Sequence, residues 1–143
     1  MKIKVLLVDD EKQFVDVLAE RLETRDFDVT IAYSGDEALE AVKSKPLDVV
    51  VLDVLMPGKD GVEALVEIKK MKPILEVIML TGNATVESAV EGMKIGAFDY
   101  LMKPTETKDL VEKIVTAYKR KAEQEERIRK AEIDRIMKTR GWG

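Results

Sequence analysis

Apolar and polar residues follow two alternating patterns along the chain. Short apolar runs, typical of buried strands, fall near residues 3–8, 27–32, 48–53, 76–81 and 98–102. Elsewhere apolar residues recur every three or four positions, which predicts amphipathic helices near 11–24, 35–44, 60–71, 85–95 and from 106 to 120 or beyond. Five strands alternating with five helices indicate an α/β protein whose parallel sheet is covered by helices on both faces.

Local signals mark the ends of the predicted helices. Two residue pairs have the spacing of a capping box, in which an acid follows the cap residue by three positions: Ser34 with Glu37, and Asp60 with Glu63. Pro46 and Pro73 are expected to end the second and third helices. Gly96 can adopt the left-handed conformation that follows the fourth helix.

The sequence changes character near Lys119, where nearly every position becomes polar. Glu-to-Arg, Glu-to-Lys and Asp-to-Lys pairs four residues apart predict that the fifth helix continues outward. Residues 121–143 are thus interpreted as a charged helical extension or linker after a domain at 1–120. Its apolar positions, which keep no heptad register, are Ile128, Ile133, Ile136 and Met137. Self-association or partner docking through them and a solvated linker both remain open.

Charge and composition exclude several classes of function. Residues 1–118 hold 15 Lys and Arg against 23 Asp and Glu, a net of −8, whereas residues 119–143 hold 9 against 5, a net of +4. An acidic main body argues against direct nucleic-acid binding. The chain has no Cys and no His, which excludes disulfides, thiolate or imidazole zinc sites, a Ser-His triad and phosphohistidine. With neither a signal-peptide pattern nor a membrane-length apolar stretch, a cytoplasmic protein without membrane association is expected.

Polar residues follow four of the apolar runs, at the point where each predicted strand ends. Asp9 and Asp10 follow the first run, Asp53 the third, Thr81 the fourth and Lys103 the fifth. The carboxyl ends of parallel strands meet at one edge of a sheet, where such folds keep their ligands. Three carboxylates, one hydroxyl and one amine at that edge suit a Mg²⁺ ion and a phosphoryl group.

These residues and their spacing resemble one family over about residues 1–120. The chain is similar to receiver domains of two-component response regulators, and Asp53 stands at that family's phosphoacceptor position. Residues 81–90, TGNATVESAV, and residues 96–104, GAFDYLMKP, are most similar to receivers of the nitrogen-regulation type. The resemblance implies a five-stranded doubly wound parallel sheet, the flavodoxin-like (βα)5 fold with strand order 2-1-3-4-5.

The resemblance also implies a magnesium site. Asp10 and Asp53 would bind the ion directly, Asp9 largely through water, and the backbone carbonyl of Leu55 would complete the set. The three aspartates carry three negative charges, which Mg²⁺ and the ammonium of Lys103 would neutralise. Without the ion, repulsion should raise the pKa of at least one carboxyl group.

Roles in phosphoryl transfer are implied for the remaining site residues. Asp53 would attack phosphorus, while Lys103 and Thr81 would contact the phosphoryl oxygens. The bond between Lys103 and Pro104 is typically cis in the family. Tyr100 would move inward when the Thr81 hydroxyl turns toward the phosphoryl group.

The implied function is signalling rather than enzymatic turnover. A sensor histidine kinase or phosphotransfer protein would supply the phosphoryl group, and the surface of the fourth helix, fifth strand and fifth helix would switch to control a partner or output domain. A homodimer through that surface and the extended helix is a further expectation. The chain lacks a P-loop pattern and its tail is too short for a helix-turn-helix domain, so either a stand-alone receiver or part of a longer regulator is expected.

Simpler structural roles compete at each site residue. Asp9 or Asp10 could cap the first helix, Lys103 could be a solvated loop lysine, and Thr81 could be a turn residue. Tyr100 could be an edge-strand residue with a half-buried ring.

Two other functions compete, one because it also uses an aspartate after an apolar strand and the other because it has the same fold. A haloacid-dehalogenase-type phosphatase needs a second aspartate two positions after the first, where this chain has Leu55. A flavodoxin-like cofactor carrier needs a hydroxyl- and glycine-rich loop after the first strand, where acidic residues would repel phosphate without a metal.

Overall fold

The computed structural model describes residues 2–54, 61–82 and 86–141, with only the backbone of Val86. The five strands are β1 Lys4–Val8, β2 Asp28–Ala32, β3 Val49–Leu52, β4 Glu76–Thr81 and β5 Asp99–Met102. The five helices are α1 Lys12–Glu23, α2 Gly35–Ser44, α3 Gly61–Met71, α4 Val86–Ile95 and α5 Thr107–Thr139. Strands and helices alternate in the order that the apolar pattern predicts.

All five strands form one parallel sheet in the order β2-β1-β3-β4-β5. This confirms the predicted fold class and strand order. In the register of the central pair, Val8 lies opposite Leu52, so β1 and β3 end at the same level. The carboxyl ends of the central strands therefore form the edge at which the predicted site residues gather.

Alternate residues of the central strands pack on opposite faces of the sheet. On one face Leu6, Val50 and Met79 pack with the buried sides of α2 and α3. On the other face Val5 and Val51 belong to a second cluster with the buried sides of α1 and α5. Burial on both faces explains why the central strands are continuous apolar runs rather than alternating ones.

Helix ends agree with their sequence signals where the structure describes them. The Ser34 hydroxyl accepts a 3.1 Å hydrogen bond from the Glu37 N–H, so the predicted cap at Ser34 is confirmed. The Glu37 carboxylate accepts from the Tyr33 N–H, one residue before the cap, rather than from the Ser34 N–H of a full capping box. Gly96 has a φ of 126°, as expected after α4. The cap predicted at Asp60 lies outside the described residues.

Helix α5 runs 33 residues, far beyond the sheet. Its buried side chains are Leu110, Ile114 and Ala117, in the first third of the helix. The apolar residues of the outer part are exposed: Ile128, Ile133, Ile136 and Met137. Within the described part of the chain, no helix combines the length and the apolar character needed to cross a membrane.

A charged residue is buried at the edge of the sheet opposite the predicted site. The side chain of Glu76, the first residue of β4, is 1% exposed. The Arg120 Nε of α5 lies 2.8 Å from one carboxylate oxygen, and the Lys69 Nζ of α3 lies 3.8 Å from the other. Burial raises the pKa of the Glu76 carboxyl group, although both cations oppose the change. Glu76 thus connects α3, β4 and α5 through ionic contacts.

Candidate functional site

The sheet holds two of the aspartates side by side. The Asp9 N–H donates to the Ala32 carbonyl at 3.1 Å, and the Asp53 N–H donates to the Val8 carbonyl at 2.9 Å. Each residue therefore extends the hydrogen-bond ladder one position beyond its strand. Both side chains are almost fully buried, Asp9 at 3% and Asp53 at 5% exposure. Their position is fixed by backbone hydrogen bonds rather than by a flexible loop.

A third aspartate completes an acidic cluster. Asp10 is exposed at the rim, and carboxylate oxygens of Asp9, Asp10 and Asp53 all lie within 4.8 Å of one another. Hard cations such as Mg²⁺ take oxygen ligands of this kind. The described part of the site therefore brings together three of the four predicted metal-binding groups. The fourth, the Leu55 carbonyl, lies outside the described residues.

Lys103 reaches into the acidic cluster from the turn after β5. Its Nζ lies 2.6 Å from Asp9 Oδ2 and 3.7 Å from Asp53 Oδ2. Its side chain is only 13% exposed, which differs from a solvated loop lysine. The Lys103 N–H donates to the Thr81 carbonyl at 2.9 Å, and the peptide bond to Pro104 is cis, as the resemblance implied.

Electrostatics keep the Lys103 amine protonated. Burial by itself would lower the pKa of Lys103, but hydrogen bonds from its ammonium to Asp9 and Glu11 outweigh that effect. The pKa of Lys103 is therefore raised above its usual value. A fixed positive charge beside Asp53 is available to contact an anionic group at that carboxylate.

Two residues around Lys103 were missed by sequence reasoning. The Glu11 carboxylate accepts a hydrogen bond from the Lys103 ammonium at 3.0 Å, and the Phe14 ring centroid lies 4.3 Å from the same nitrogen. Glu11 directly follows Asp9-Asp10, a position that could have suggested a role. Phe14 was expected only as an apolar residue of the first helix. It also supplies an aromatic face to the ammonium.

The Asp9 carboxylate closes a local turn before α1 rather than capping the helix. Its Oδ1 accepts a 2.9 Å hydrogen bond from the N–H of Glu11, the residue at the cap position, whose own side chain makes no capping hydrogen bond. Its Oδ2 contacts Lys103. These two contacts fix the orientation of the carboxylate.

Thr81 and Tyr100 lie on one face of the sheet. Thr81 is the last residue of β4, is 1% exposed, and pairs with Met102, while Tyr100 pairs with Met79. Paired residues of parallel strands project to the same side, and so do residues two apart along a strand. Met79 packs in the cluster that contains α3, so this is also the face toward α4. Tyr100 is 38% exposed on the edge strand β5, which is also compatible with the simpler role of an edge-strand residue with a half-buried ring.

Helix α3 begins directly against the backbone of the Asp53 segment. The Gly61 N–H donates to the Val54 carbonyl at 2.8 Å. A Cβ at position 61 would overlap the Asp53 carbonyl oxygen and the Val54 Cα. Only glycine fits so close to this backbone, so Gly61 allows α3 to pack directly against the segment that carries Asp53.

Comparison with known proteins agrees with the fold. The profile of the family described as response regulator receiver domain matches residues 5–115. A response regulator receiver domain protein from Clostridium thermocellum is 38% identical, with a TM-score of 0.80 over 84% of this chain and 97% of its own. The receiver domain of Francisella response regulator 1452 is 34% identical, with a TM-score of 0.77 over 83% and 98%.

A longer protein is also similar. NtrX from Brucella abortus is 32% identical with a TM-score of 0.82, and the match covers 88% of this chain but only 29% of NtrX. The likeness to NtrX therefore concerns one part of a larger protein. The matched fold, the extent of the family profile and the identity to complete receiver domains lead to one conclusion: this chain belongs to the response regulator receiver domain family.

Proposed function

We propose that Asp53 accepts a phosphoryl group and that this event is the chain's signal. Phosphorylation on aspartate is characteristic of the family to which the chain belongs. The observation that carries the assignment is the buried Asp53 carboxylate beside both Asp9 and the Lys103 ammonium. A carboxylate oxygen of Asp53 attacks phosphorus, and the bond from phosphorus to the donor breaks, with its electron pair leaving on the donor.

We propose that Mg²⁺ assists this transfer. Receiver domains generally bind Mg²⁺ at an acidic pocket, and the cluster of Asp9, Asp10 and Asp53 has the ligand type and spacing that the ion needs. The Glu11 carboxylate adds a fourth negative charge beside the three aspartates, while Lys103 contributes one positive charge. When bound, Mg²⁺ supplies positive charge that offsets repulsion between this cluster and the phosphoryl oxygens.

Lys103 is proposed to hold a phosphoryl oxygen after transfer. Its ammonium lies 3.7 Å from Asp53, near enough to reach a group attached there by a small side-chain movement. Contacts with Asp9 and Glu11 hold it in place beforehand. Lys103 therefore orients and stabilises the product without acting as a proton donor.

Thr81 and Tyr100 are proposed as the switch residues. Both lie on the face of the sheet toward α4, where Val90 and Met93 are also exposed. Movement of the Thr81 hydroxyl toward a phosphoryl group would leave space on this face, and the exposed Tyr100 ring could then turn inward. New contacts to the phosphate would bias the two arrangements. The surface of α4, β5 and α5 would then present different side chains to a partner or a second copy.

The phosphoryl donor is proposed to be a sensor histidine kinase or phosphotransfer protein, the partners with which this family interacts. Residues 1–143 contain no histidine, so a donor histidine would lie outside this sequence. We further propose that residues 1–120 form the receiver, that 121–143 form an extension, and that the receiver is of the nitrogen-regulation type. Residues 81–90 and the similarity to NtrX support the last assignment.

Intact-mass measurement tests the central proposal. Acetyl phosphate with Mg²⁺ should add one phosphoryl group to the wild type and none to Asp53→Asn, and chelation of Mg²⁺ should suppress the addition. Asp48→Asn is a matched control, because Asp48 lies before the amino end of the same strand, at the opposite edge of the sheet. Equal phosphorylation of wild type and Asp53→Asn would overturn the assignment.

A further inference from the structure

A cavity lies at the edge of the sheet opposite Asp53. Its volume is about 330 Å³, within the size range of small-molecule sites. The ends of α2 and α3, the turn after α3 and one residue of α5 surround it. Seven apolar residues form most of its walls, among them Leu47 and Ile74. None of the residues assigned to phosphoryl transfer contributes to it.

Four lysines line this cavity, together with a single acid. The lysines are Lys4, Lys45, Lys72 and Lys121, and the acid is Asp48. Asp48 is already engaged, since one oxygen accepts from the Lys4 N–H at 2.9 Å and the other lies 3.3 Å from the Lys121 Nζ. The cavity therefore has a surplus of positive charge on a domain whose net charge is negative.

Helix dipoles explain the positions of two of the four lysines. Lys45 and Lys72 directly follow the carboxyl ends of α2 and α3, where cations offset the exposed carbonyl groups. Lys4 begins a strand and Lys121 belongs to the opposing helix α5, so neither has that role. Their presence at the same cavity calls for a different explanation.

The Lys121 ammonium has the position and the charge needed to bind an anion. Its side chain is mostly buried, and contacts with Glu125 and Asp48 raise its pKa against the effect of burial. An ammonium has three N–H donors, and two of them have acceptors among the described residues, Asp48 and Glu125. The third donor can serve a ligand oxygen.

We propose that this cavity binds a small amphipathic anion, with a carboxylate or phosphate head near the lysines and a short apolar body against Leu47 and Ile74. The concave, half-open shape and limited volume favour a small molecule over a bilayer, which needs a flat or protruding apolar surface. Because Lys121 belongs to α5 just before its exposed part, the bound anion would add a contact at the base of the extension.

Titration of the full chain with octanoate, followed by backbone NMR without any phosphoryl donor, tests this proposal. Octanoate should shift the amides of Lys45, Leu47 and Asp48 and of Lys72, Ile74 and Leu75. Octanol should bind at least about fivefold more weakly, since it lacks the charge. The double variant Lys45→Gln/Lys72→Gln should weaken octanoate binding about fivefold to tenfold. Lys43→Gln/Lys70→Gln removes the same charge from the same helices, outside the cavity, and should bind as wild type does.

A second variant tests the apolar wall. Ile74→Glu places a carboxylate at the cavity and should abolish octanoate binding, with folding verified by circular dichroism. Absence of local shifts at millimolar octanoate would overturn the proposal. Equal binding of octanol and octanoate, or equal loss in both double variants, would also overturn it. Binding of the protein to anionic phosphatidylglycerol vesicles, without binding of octanoate, would overturn it as well.

Discussion

Glu11 and Lys103 are 92 positions apart in the sequence, yet their side chains form an ion pair with an N–O distance of 3.0 Å. The pair lies at the rim of the acidic cluster, where an anionic phosphoryl donor must approach Asp53. Glu11 thus competes with the incoming group for the ammonium and adds negative charge at the entrance. Its effect on phosphorylation should be inhibitory.

Glu11→Gln should raise the rate of phosphorylation by acetyl phosphate about twofold to fivefold, the size expected for one ion pair whose acid is largely exposed. Time-resolved intact-mass analysis measures this rate. Glu20→Gln, an exposed acid on the following helix, is the control and should change little. A rate for Glu11→Gln equal to that of the wild type would contradict the inhibitory effect. A lower rate would show that the pair assists transfer instead.

Gly61→Ala should destabilise the domain by about 1–3 kcal/mol, because the added Cβ overlaps the backbone of Asp53 and Val54. Urea unfolding measures the loss, and phosphorylation of the remaining folded protein should also slow as Asp53 shifts. Gly82→Ala is the control: among the described residues its Cβ would meet only the Lys103 side chain, at 4.0 Å, so a change within about 0.5 kcal/mol is expected. Similar losses for both variants would contradict the specific role of Gly61.

Thr81→Val should remove the conformational response without preventing Mg²⁺ binding, since it deletes the hydroxyl and nearly conserves the volume. The measurement is the change in NMR signals of Tyr100 and Met93 on activation, which should be largely lost. Thr30→Val, in β2 of the same sheet, should respond as wild type does. If Thr81→Val shows the full change, another group must link the phosphoryl group to α4.

Glu76→Gln should alter the pH dependence of stability. The pKa of Glu76 is raised in the folded state, so its favourable contribution is complete below its ordinary pKa of 4.5 and is lost as pH rises through the folded-state pKa. Stability of the wild type relative to Glu76→Gln should therefore decline in urea titrations as pH rises above 4.5 and through the raised folded-state pKa. Glu40→Gln, an exposed acid on α2, should leave the pH profile unchanged. Parallel profiles for wild type and Glu76→Gln would contradict the prediction.

Truncation separates the packed part of α5 from its exposed part. Removal of residues 127–143 deletes the exposed apolar positions but keeps Arg120, Lys121 and Glu125. Stability should stay within about 0.5 kcal/mol, and any dimer observed by light scattering should weaken. An unchanged mass for both proteins, with and without phosphorylation, would leave the solvated-linker interpretation.

A shorter protein ending at Lys119 is the informative comparison. It loses Arg120, whose Nε lies 2.8 Å from the buried Glu76 carboxylate, and should be less stable by about 1–3 kcal/mol. Lys121, whose Nζ lies 3.3 Å from an Asp48 carboxylate oxygen, adds a contact that crosses the proposed boundary after residue 120.

The sequence was sufficient for the residues whose position follows from local patterns. The apolar run Val49–Leu52 predicts β3, and the parallel sheet then brings Asp53 beside Asp9 without further information. Ser34 and Glu37 determine the start of α2 through contacts three residues apart. In each case the decisive interaction is either local or imposed by strand alternation.

Other residues could not be predicted because their partners are distant in the sequence. Glu11 resembles a solvated loop acid until the turn after β5 places Lys103 next to it. Glu76 resembles a surface acid at the start of a strand, and only the packing of α3 and α5 shows that it is buried between Lys69 and Arg120. Charge pairs of this kind depend on tertiary structure, which hydrophobic periodicity does not describe.

The length of α5 has a mechanical consequence. At 1.5 Å per residue, the part from Lys121 to Thr139 extends about 28 Å from the last contacts with the domain. A tilt of about 10° at the base would move the far end by about 5 Å, so the helix acts as a lever arm. A rearrangement of side chains around Arg120 and Lys121 that tilts the helix would therefore be amplified along this arm to a displacement that a bound partner could detect.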